Sequence, residues 1–311
     1  MSLKVRKIFF KKLASRLNCK KINDLMLEIK IEDKLFKNLY DATFNYVTKC
    51  FGTKKIIKSE KEIFDFIKKN KIKNITPNGM IVPKREVCLE FNLVVRSYIE
   101  ILESLKIQDL IESFHFPPNI RFKEGNVKVS NLRRRHPTEF FHSDTWTGAM
   151  PNWIASHLYL MGDLGRNNIR YAYPPIDFSE EWLKPIEKAK DGQKFAKKFK
   201  IINFKPKKGT FIFADATIIH HSARKKNCGE RISLDTGLNM KMKGLKSFKY
   251  PKINNLNIKK IRLDETISNK DFLNIGKKNF LYFPDSMNKK KSTGGGFKHP
   301  SNLHLVKSNM S

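Results

Sequence analysis

His142 and Asp144 flank a serine directly after the apolar pair Phe140-Phe141, and a second apolar run, Phe213–Ile219, leads into the adjacent histidines His220 and His221. Imidazole nitrogens and carboxylate oxygens both bind divalent first-row metals. In an extended strand, residues i and i+2 share one side, so His142 and Asp144 can face one ion from a single short segment. A histidine from a neighbouring strand would complete a 2-His-1-carboxylate facial set. Such a set leaves coordination positions open and suits an iron(II) centre that handles dioxygen. The H-x-D triplet alone is weak evidence: with 8 His and 14 Asp in 311 residues, chance supplies about 0.4 of them. Its companions carry the inference. Arg231 follows His220 by eleven residues, and Ser233 shares its face of the strand expected over Arg231–Leu238. An arginine fork binds a carboxylate through two parallel hydrogen bonds, and a hydroxyl two residues on can donate to the same group. A dicarboxylate that chelates a metal at one end needs such an anchor at the other.

The elements that must hold these residues are legible in outline. Residues 1 to about 115 read as helical. Ser59 and Glu62 have capping-box spacing ahead of Ile63, Phe64, Phe66 and Ile67. Leu93, Ile99, Leu102, Leu105 and Leu110 form a helical stripe that Pro117 and Pro118 bring to a stop. Beyond that point the periodicity shortens. Strands are expected at Asn126–Ser130, Glu139–His142, Trp153–Met161, Ile169–Tyr173, Ile201–Phe204, Thr210–Phe213, Thr217–His221 and Arg231–Leu238, with a helical insert at Glu180–Lys198. Many short strands joined by turns predict a mainly β fold, a sandwich or jelly roll with flanking helices. The chain divides into a helical N-terminal region packing on the core (1–115), a catalytic β core (116–240) and a basic C-terminal extension (241–311), in which Lys289–Gly296 reads as a flexible loop.

With these residues in place, the chain resembles a known family. The segment Phe213–Arg231 (FADATIIHHSARKKNCGER) is similar to the distal half of the site in the phytanoyl-CoA dioxygenase-like branch of the iron(II)- and 2-oxoglutarate-dependent oxygenases. That branch pairs a strand ending in H-x-S with an arginine eleven residues beyond the histidine. FFHSDTW, Phe140–Trp146, resembles the proximal half. HSDTWTGAMPNW, with PPNIRF upstream, also looks like dioxygenase-like proteins of antibiotic and surface-sugar biosynthesis. The matches span roughly residues 117–240. The resemblance implies a double-stranded β-helix with iron(II) on His142, Asp144 and His220, and 2-oxoglutarate held by Arg231 with help from Ser233. It implies oxidative decarboxylation of that cosubstrate by dioxygen, coupled to hydroxylation of a small, sugar- or lipid-related molecule. The alternatives are an oxygenase directed at nucleic acid and a non-catalytic jelly-roll binding module.

Each residue also has a plainer reading. His142 and Asp144 fit a surface turn. His221 competes with His220 as the distal ligand, since one of two adjacent strand residues points inward. Arg231 could pair with Asp235 at a sheet edge. His157, in an apolar strand, reads as a core histidine. Trp146, Trp153, Tyr171 and Tyr173 suit a core or a pocket wall, and Arg133-Arg134-Arg135 suits a solvated basic loop.

Net charge is +32, from 62 basic and 30 acidic residues. The excess is mostly lysine spread along the whole chain, which predicts nonspecific attraction to polyanions rather than a selective nucleic-acid site. The four cysteines lie far apart without a C-x-x-C pair, which excludes a zinc framework and fits reduced thiols in a cytoplasm. No apolar run reaches the roughly 20 residues that span a bilayer. The basic opening stretch, Met1–Lys21, lacks the apolar segment of a secretion signal and reads as a packed helix. Oligomeric state is not legible.

Overall fold

The computed structural model describes residues 2–51, 56–69, 75–76, 78–115, 118–126 and 132–242, with three short strands at 266–268, 279–282 and 304–307. The expected strand Asn126–Ser130 beyond its first residue, the loop Lys289–Gly296 and most of the C-terminal extension lie outside the described residues.

Helix α1, Leu3–Leu17, buries Arg6, Phe10, Leu13 and Ala14 along one face. It closes at Asn18, whose left-handed backbone (φ 45°) suits asparagine and lets its N–H reach the last carbonyls. A hairpin follows, β1 at Lys20–Asn23 and β2 at Met26–Lys30. The N-terminal region is therefore not wholly helical. Four of the five β2 residues are buried, which erases the polar–apolar alternation that would have announced a strand. Helix α2 spans Asp33–Cys50 and α3 spans Glu60–Lys69. The capping box forms as the sequence predicts: Glu62 N–H donates to Ser59 Oγ (3.2 Å), and Ser59 Oγ–H donates back to Glu62 Oε1 (3.3 Å). Helix α4, Cys88–Ser104, buries Phe91, Val94, Val95, Tyr98, Ile99, Ile101 and Leu102. Leu93 is turned outward, so the stripe read from the sequence is rotated at its start. The chain beyond α4 turns into strand β3, Ile111–His115, rather than continuing as helix.

The remaining strands are β4 (Asn119–Lys123), β5 (Trp153–Gly162), β6 (Asn167–Tyr173), β7 (Lys200–Ile201), β8 (Thr210–Asp215), β9 (Ile219–Arg224) and β10 (Arg231–Met240). Helix α5, Ala189–Ala196, lies in the insert before β7. The main sheet runs β1-β2-β8-β5-β10-β3, with β4 also on β10, and the second sheet runs β7-β6-β9. Every one of these pairings is antiparallel. From β5 onward the chain passes from the main sheet to the second (β6, β7), back to the main (β8), to the second (β9) and back (β10). That alternating winding makes the β core a double-stranded β-helix. The expected strand at Glu139–His142 reduces to a single bridge, His142 to His220. Likewise, Ile201–Phe204 shortens to Lys200–Ile201.

Both faces of the main sheet are covered, which is why β8 is buried at all six positions. Leu158, Phe211, Phe213, Ile232 and Leu234 pack in one apolar cluster with Phe10, Tyr46, Phe91 and Tyr98 of the helices. Tyr159, Ile212 and Ala214 cluster with Ile169 and Tyr171 of the second sheet. A buried ionic knot joins α1 to this core. Arg6, wholly buried, donates to both Asp215 oxygens (3.1 Å each), to Glu180 (3.0 Å) and to Pro151 O (2.8 Å). Burial pushes the Asp215 carboxyl upward, while Arg6 and the N–H and hydroxyl of Thr217 pull against it. Among the described residues, no helix is long and apolar enough to cross a membrane.

Candidate metal centre and carboxylate anchor

The mutual backbone bonds of His142 and His220, 2.9 and 2.8 Å, set the two histidines side by side with ring centroids 4.5 Å apart. Ser143 holds the segment in place from between the candidate ligands. Its hydroxyl donates to Ala216 O (2.8 Å), in the turn that delivers β9, and accepts from Thr145 N–H. Asp144 then opens a short 3-10 turn, Asp144–Thr147. His142 and Asp144 thus converge through a pinned turn, not through strand alternation as the sequence suggested.

The donor atoms of His142, Asp144 and His220 all lie within 4.8 Å of one another. His142 Nδ1 is 2.8 Å from Phe140 O, so Nδ1 carries the proton and Nε2 keeps a free lone pair. Trp153 Nε1–H donates to Asp144 Oδ2 (2.8 Å), while Oδ1 lies 3.7 Å from His220 Nε2. Burial, then the neighbouring His220, pushes His142 down to about 3. Burial opposes ionisation of Asp144, yet His220, His142, His157 and the Trp153 N–H hold it below the ordinary carboxylate range. A neutral imidazole beside an ionised carboxylate, with a second imidazole at ligand distance, is a donor set that fits a divalent cation. His221 turns away and packs on Phe141, with centroids 4.2 Å apart. His157 lies inside: its Nδ1 is 3.0 Å from Tyr171 Oη, and burial pushes it down to about 3.

The same cavity, about 500 Å³, is lined by this cluster and by Arg231, Lys123, Arg121 and Asp235. Arg231 is fully buried, and its Nε, Nη1 and Nη2 find no hydrogen-bond partner among the described residues. Its guanidinium lies over the Tyr159 ring, 5.6 Å from the centroid, and burial lowers its pKa. The alternative pairing of Arg231 with Asp235 does not form, because Arg121 claims that carboxylate through three hydrogen bonds of 2.7–3.1 Å. Burying a charge without a counterion costs several kcal/mol, and a bare guanidinium in this position is a chemical match for an anion. Ser233 shares its face, and its buried hydroxyl is also without a partner among the described residues.

Lys123 escaped the sequence reading. It stands directly opposite Arg231 in the β4–β10 register, is 3% exposed, and donates from Nζ to Thr138 Oγ1 (2.7 Å). Burial, then Arg121, pushes it well below the ordinary lysine range. The signal was present in Asn119–Lys123, where alternation puts Arg121 and Lys123 on one face of a short strand. Trp146 is core, with its N–H on Trp182 O, and Tyr173 lies apart beside Asp24. Arg133 and Arg135 are exposed, while Arg134 bonds Asn78.

No family model matches the chain, and no curated protein matches it. Several solved structures are distantly similar in fold. The epimerase SnoN, in complex with Fe3+, alpha ketoglutarate and nogalamycin RO, is 10% identical with a TM-score of 0.41, covering 75% of this chain and 84% of its own. The alpha ketoglutarate dependent carbocyclase SnoK from nogalamycin biosynthesis is 9% identical, with a TM-score of 0.40 and coverage of 77% and 84%. EctD from S. alaskensis, with 2-oxoglutarate and 5-hydroxyectoine, is 14% identical, with a TM-score of 0.38 and coverage of 69% and 71%.

Proposed function

We propose that this chain is an iron(II)- and 2-oxoglutarate-dependent oxygenase that hydroxylates a small molecule. The observation that carries the reading is the bare, buried guanidinium of Arg231, which lines the same cavity as the His142, Asp144 and His220 cluster. A metal ligand set and a carboxylate receptor sharing one cavity fit a dicarboxylate bound end to end. His142, Asp144 and His220 would hold the iron. Arg231 would take the distal carboxylate of 2-oxoglutarate, with Ser233 and Lys123 as further donors. When bound, iron with 2-oxoglutarate and dioxygen supplies oxidative decarboxylation to succinate and carbon dioxide, coupled to oxygen insertion into a C–H bond. The protein's own part is to bind and orient. His142 Nδ1–H is tied to Phe140 O, Trp153 steadies Asp144, and Ile169 and Trp153 supply apolar wall against water.

A cavity of about 500 Å³ is of the size that encloses a small molecule. The four cysteines carry thiols rather than disulfides, which suits a reducing compartment, the cytoplasm. The division into a helical region (1–115), a catalytic core (116–240) and a basic extension (241–311) belongs to the same proposal. The test is anaerobic titration of metal-loaded protein with 2-oxoglutarate, followed by succinate release on admitting air. Wild-type protein should bind and turn over, and Arg231→Ala should keep the metal yet need far more cosubstrate. Turnover that depends on added oligonucleotide at about 0.15 M salt, where screening extends over roughly 8 Å, would favour a nucleic-acid substrate instead.

A further inference from the structure

Trp153 opens β5 within the cavity wall, and its indole does more than fill space. Its N–H donates to Asp144 Oδ2 at 2.8 Å. The ring reaches this position by lying across β10 at Gly237. A Cβ there would stand 1.7, 1.8 and 2.1 Å from three indole carbons, so only glycine leaves the ring its seat. His115 meets the ring edge-on at 5.8 Å, and Ala155 and Ala216 pack with it. The backbone is tied on both sides: Trp153 N–H donates to Met150 O and Trp153 O accepts from Ala216 N–H, each at 3.0 Å. The ring is therefore held by contacts independent of Asp144, which gives the N–H a fixed direction.

Resting on the metal-centre reading above, we infer that Trp153 is a positioning residue that keeps Asp144 a one-oxygen ligand, with Gly237 as the notch that seats it. A free carboxylate can grip a divalent cation through either oxygen or both. Here Oδ2 is engaged by the indole, and Oδ1 is the oxygen turned toward His220 Nε2. Limiting Asp144 to one oxygen preserves the coordination position that a chelating cosubstrate needs. A partner that orients a ligand in this way typically changes metal affinity or activity by about 10–100-fold when removed.

Cobalt(II) is the probe, because its visible spectrum reports ligand number and binds without turnover. Two variants act on the device from opposite ends. Trp153→Phe keeps a ring and deletes the donor, whereas Gly237→Ala keeps the donor and displaces the ring. In both, 2-oxoglutarate affinity for the cobalt-loaded protein should fall about tenfold or more, and the visible band should shift before cosubstrate is added. A merely structural role would lower thermal stability and leave the band and the cosubstrate affinity of loaded protein unchanged. That result in either folded variant overturns the inference. Failure of the wild-type protein itself to take up cobalt would instead overturn the metal-centre reading on which it rests.

Discussion

Replacing Arg231 with methionine should make the ligand-free protein more stable and the ligand-bound protein less so. The wild-type guanidinium is fully buried and has no hydrogen-bond partner among the described residues; the Tyr159 ring 5.6 Å away offsets its burial, with Asp235 and Tyr171 adding longer-range support. An uncompensated buried ion costs several kcal/mol even after relaxation, and a desolvated cation–π contact returns about 2 kcal/mol. Methionine fills a similar stem volume without charge, so Arg231→Met should gain on the order of 1–3 kcal/mol. At about 2–4 °C per kcal/mol, the melting temperature should rise by roughly 2–12 °C. With both proteins loaded with cobalt(II), 2-oxoglutarate at about 100 times the wild-type Kd adds about 2.7 kcal/mol to the wild type and far less to the variant, and the gap between the two melting curves should narrow or reverse. Differential scanning calorimetry of both proteins, with and without cosubstrate, reads the crossing directly. A ligand-free Arg231→Met that melts below wild type would show that the guanidinium has a stabilising partner within the protein. The anion-receptor argument would then fail.

Three other expectations follow from the geometry. His142→Ala, Asp144→Ala and His220→Ala should each abolish tight metal uptake, while His221→Ala, whose ring packs on Phe141, should bind normally; equilibrium dialysis with cobalt(II) separates these outcomes. Arg6→Ala should destabilise the fold by about 3–5 kcal/mol, because it leaves the buried Asp215 carboxylate without its charge partner; urea denaturation measures it. Asp235 is opposed by burial but held below the ordinary carboxylate range by Arg121. Its stability contribution is therefore complete above the unfolded pKa near 4 and lost as acid takes pH through the lower folded value. Asp235→Asn should be less stable at pH 7 and show a shallower acid limb in stability measured against pH.

The site was more legible than its supports. Residue type and spacing brought out His142, Asp144, His220 and Arg231 because ligands and anchors must be particular chemical groups. Two finer choices needed coordinates. The eleven-residue interval to Arg231 and the H-x-S context favour His220 over His221, and the twin backbone bonds to His142 set His220 beside it. Asp235 was a reasonable partner for Arg231 until Arg121, more than a hundred residues away in sequence, took it. The turn at Asp144 was misread as strand because Ser143's anchor, Ala216 O, is a backbone atom that no motif reports. The β1–β2 hairpin was lost for a different reason: a strand buried on both faces carries no alternation, and Met, Leu, Glu and Lys are good helix formers.

The cavity is where the chain departs from the rules its core obeys, because it buries opposite charges and keeps them apart. The histidine His142 is neutral by burial, and Arg121 and Asp235 neutralise each other. Lys123, driven far down by burial, can stand as an uncharged donor. Among the carboxylates and guanidinium groups of the cavity, that leaves one negative charge on Asp144 and one positive charge on Arg231. Joining these two would have been the cheapest arrangement for the empty protein, yet Asp144 is turned to Trp153 and the histidines and Arg231 is left bare. A divalent cation beside Asp144 leaves one positive charge there. A dianion bridging from that cation to Arg231 then brings the sum to zero. A monoanion would leave a buried positive charge, and a neutral ligand would leave two. The proposed metal and dicarboxylate would together keep these charges at a sum of zero while giving each of them a partner, whereas either alone would bury a net charge of two.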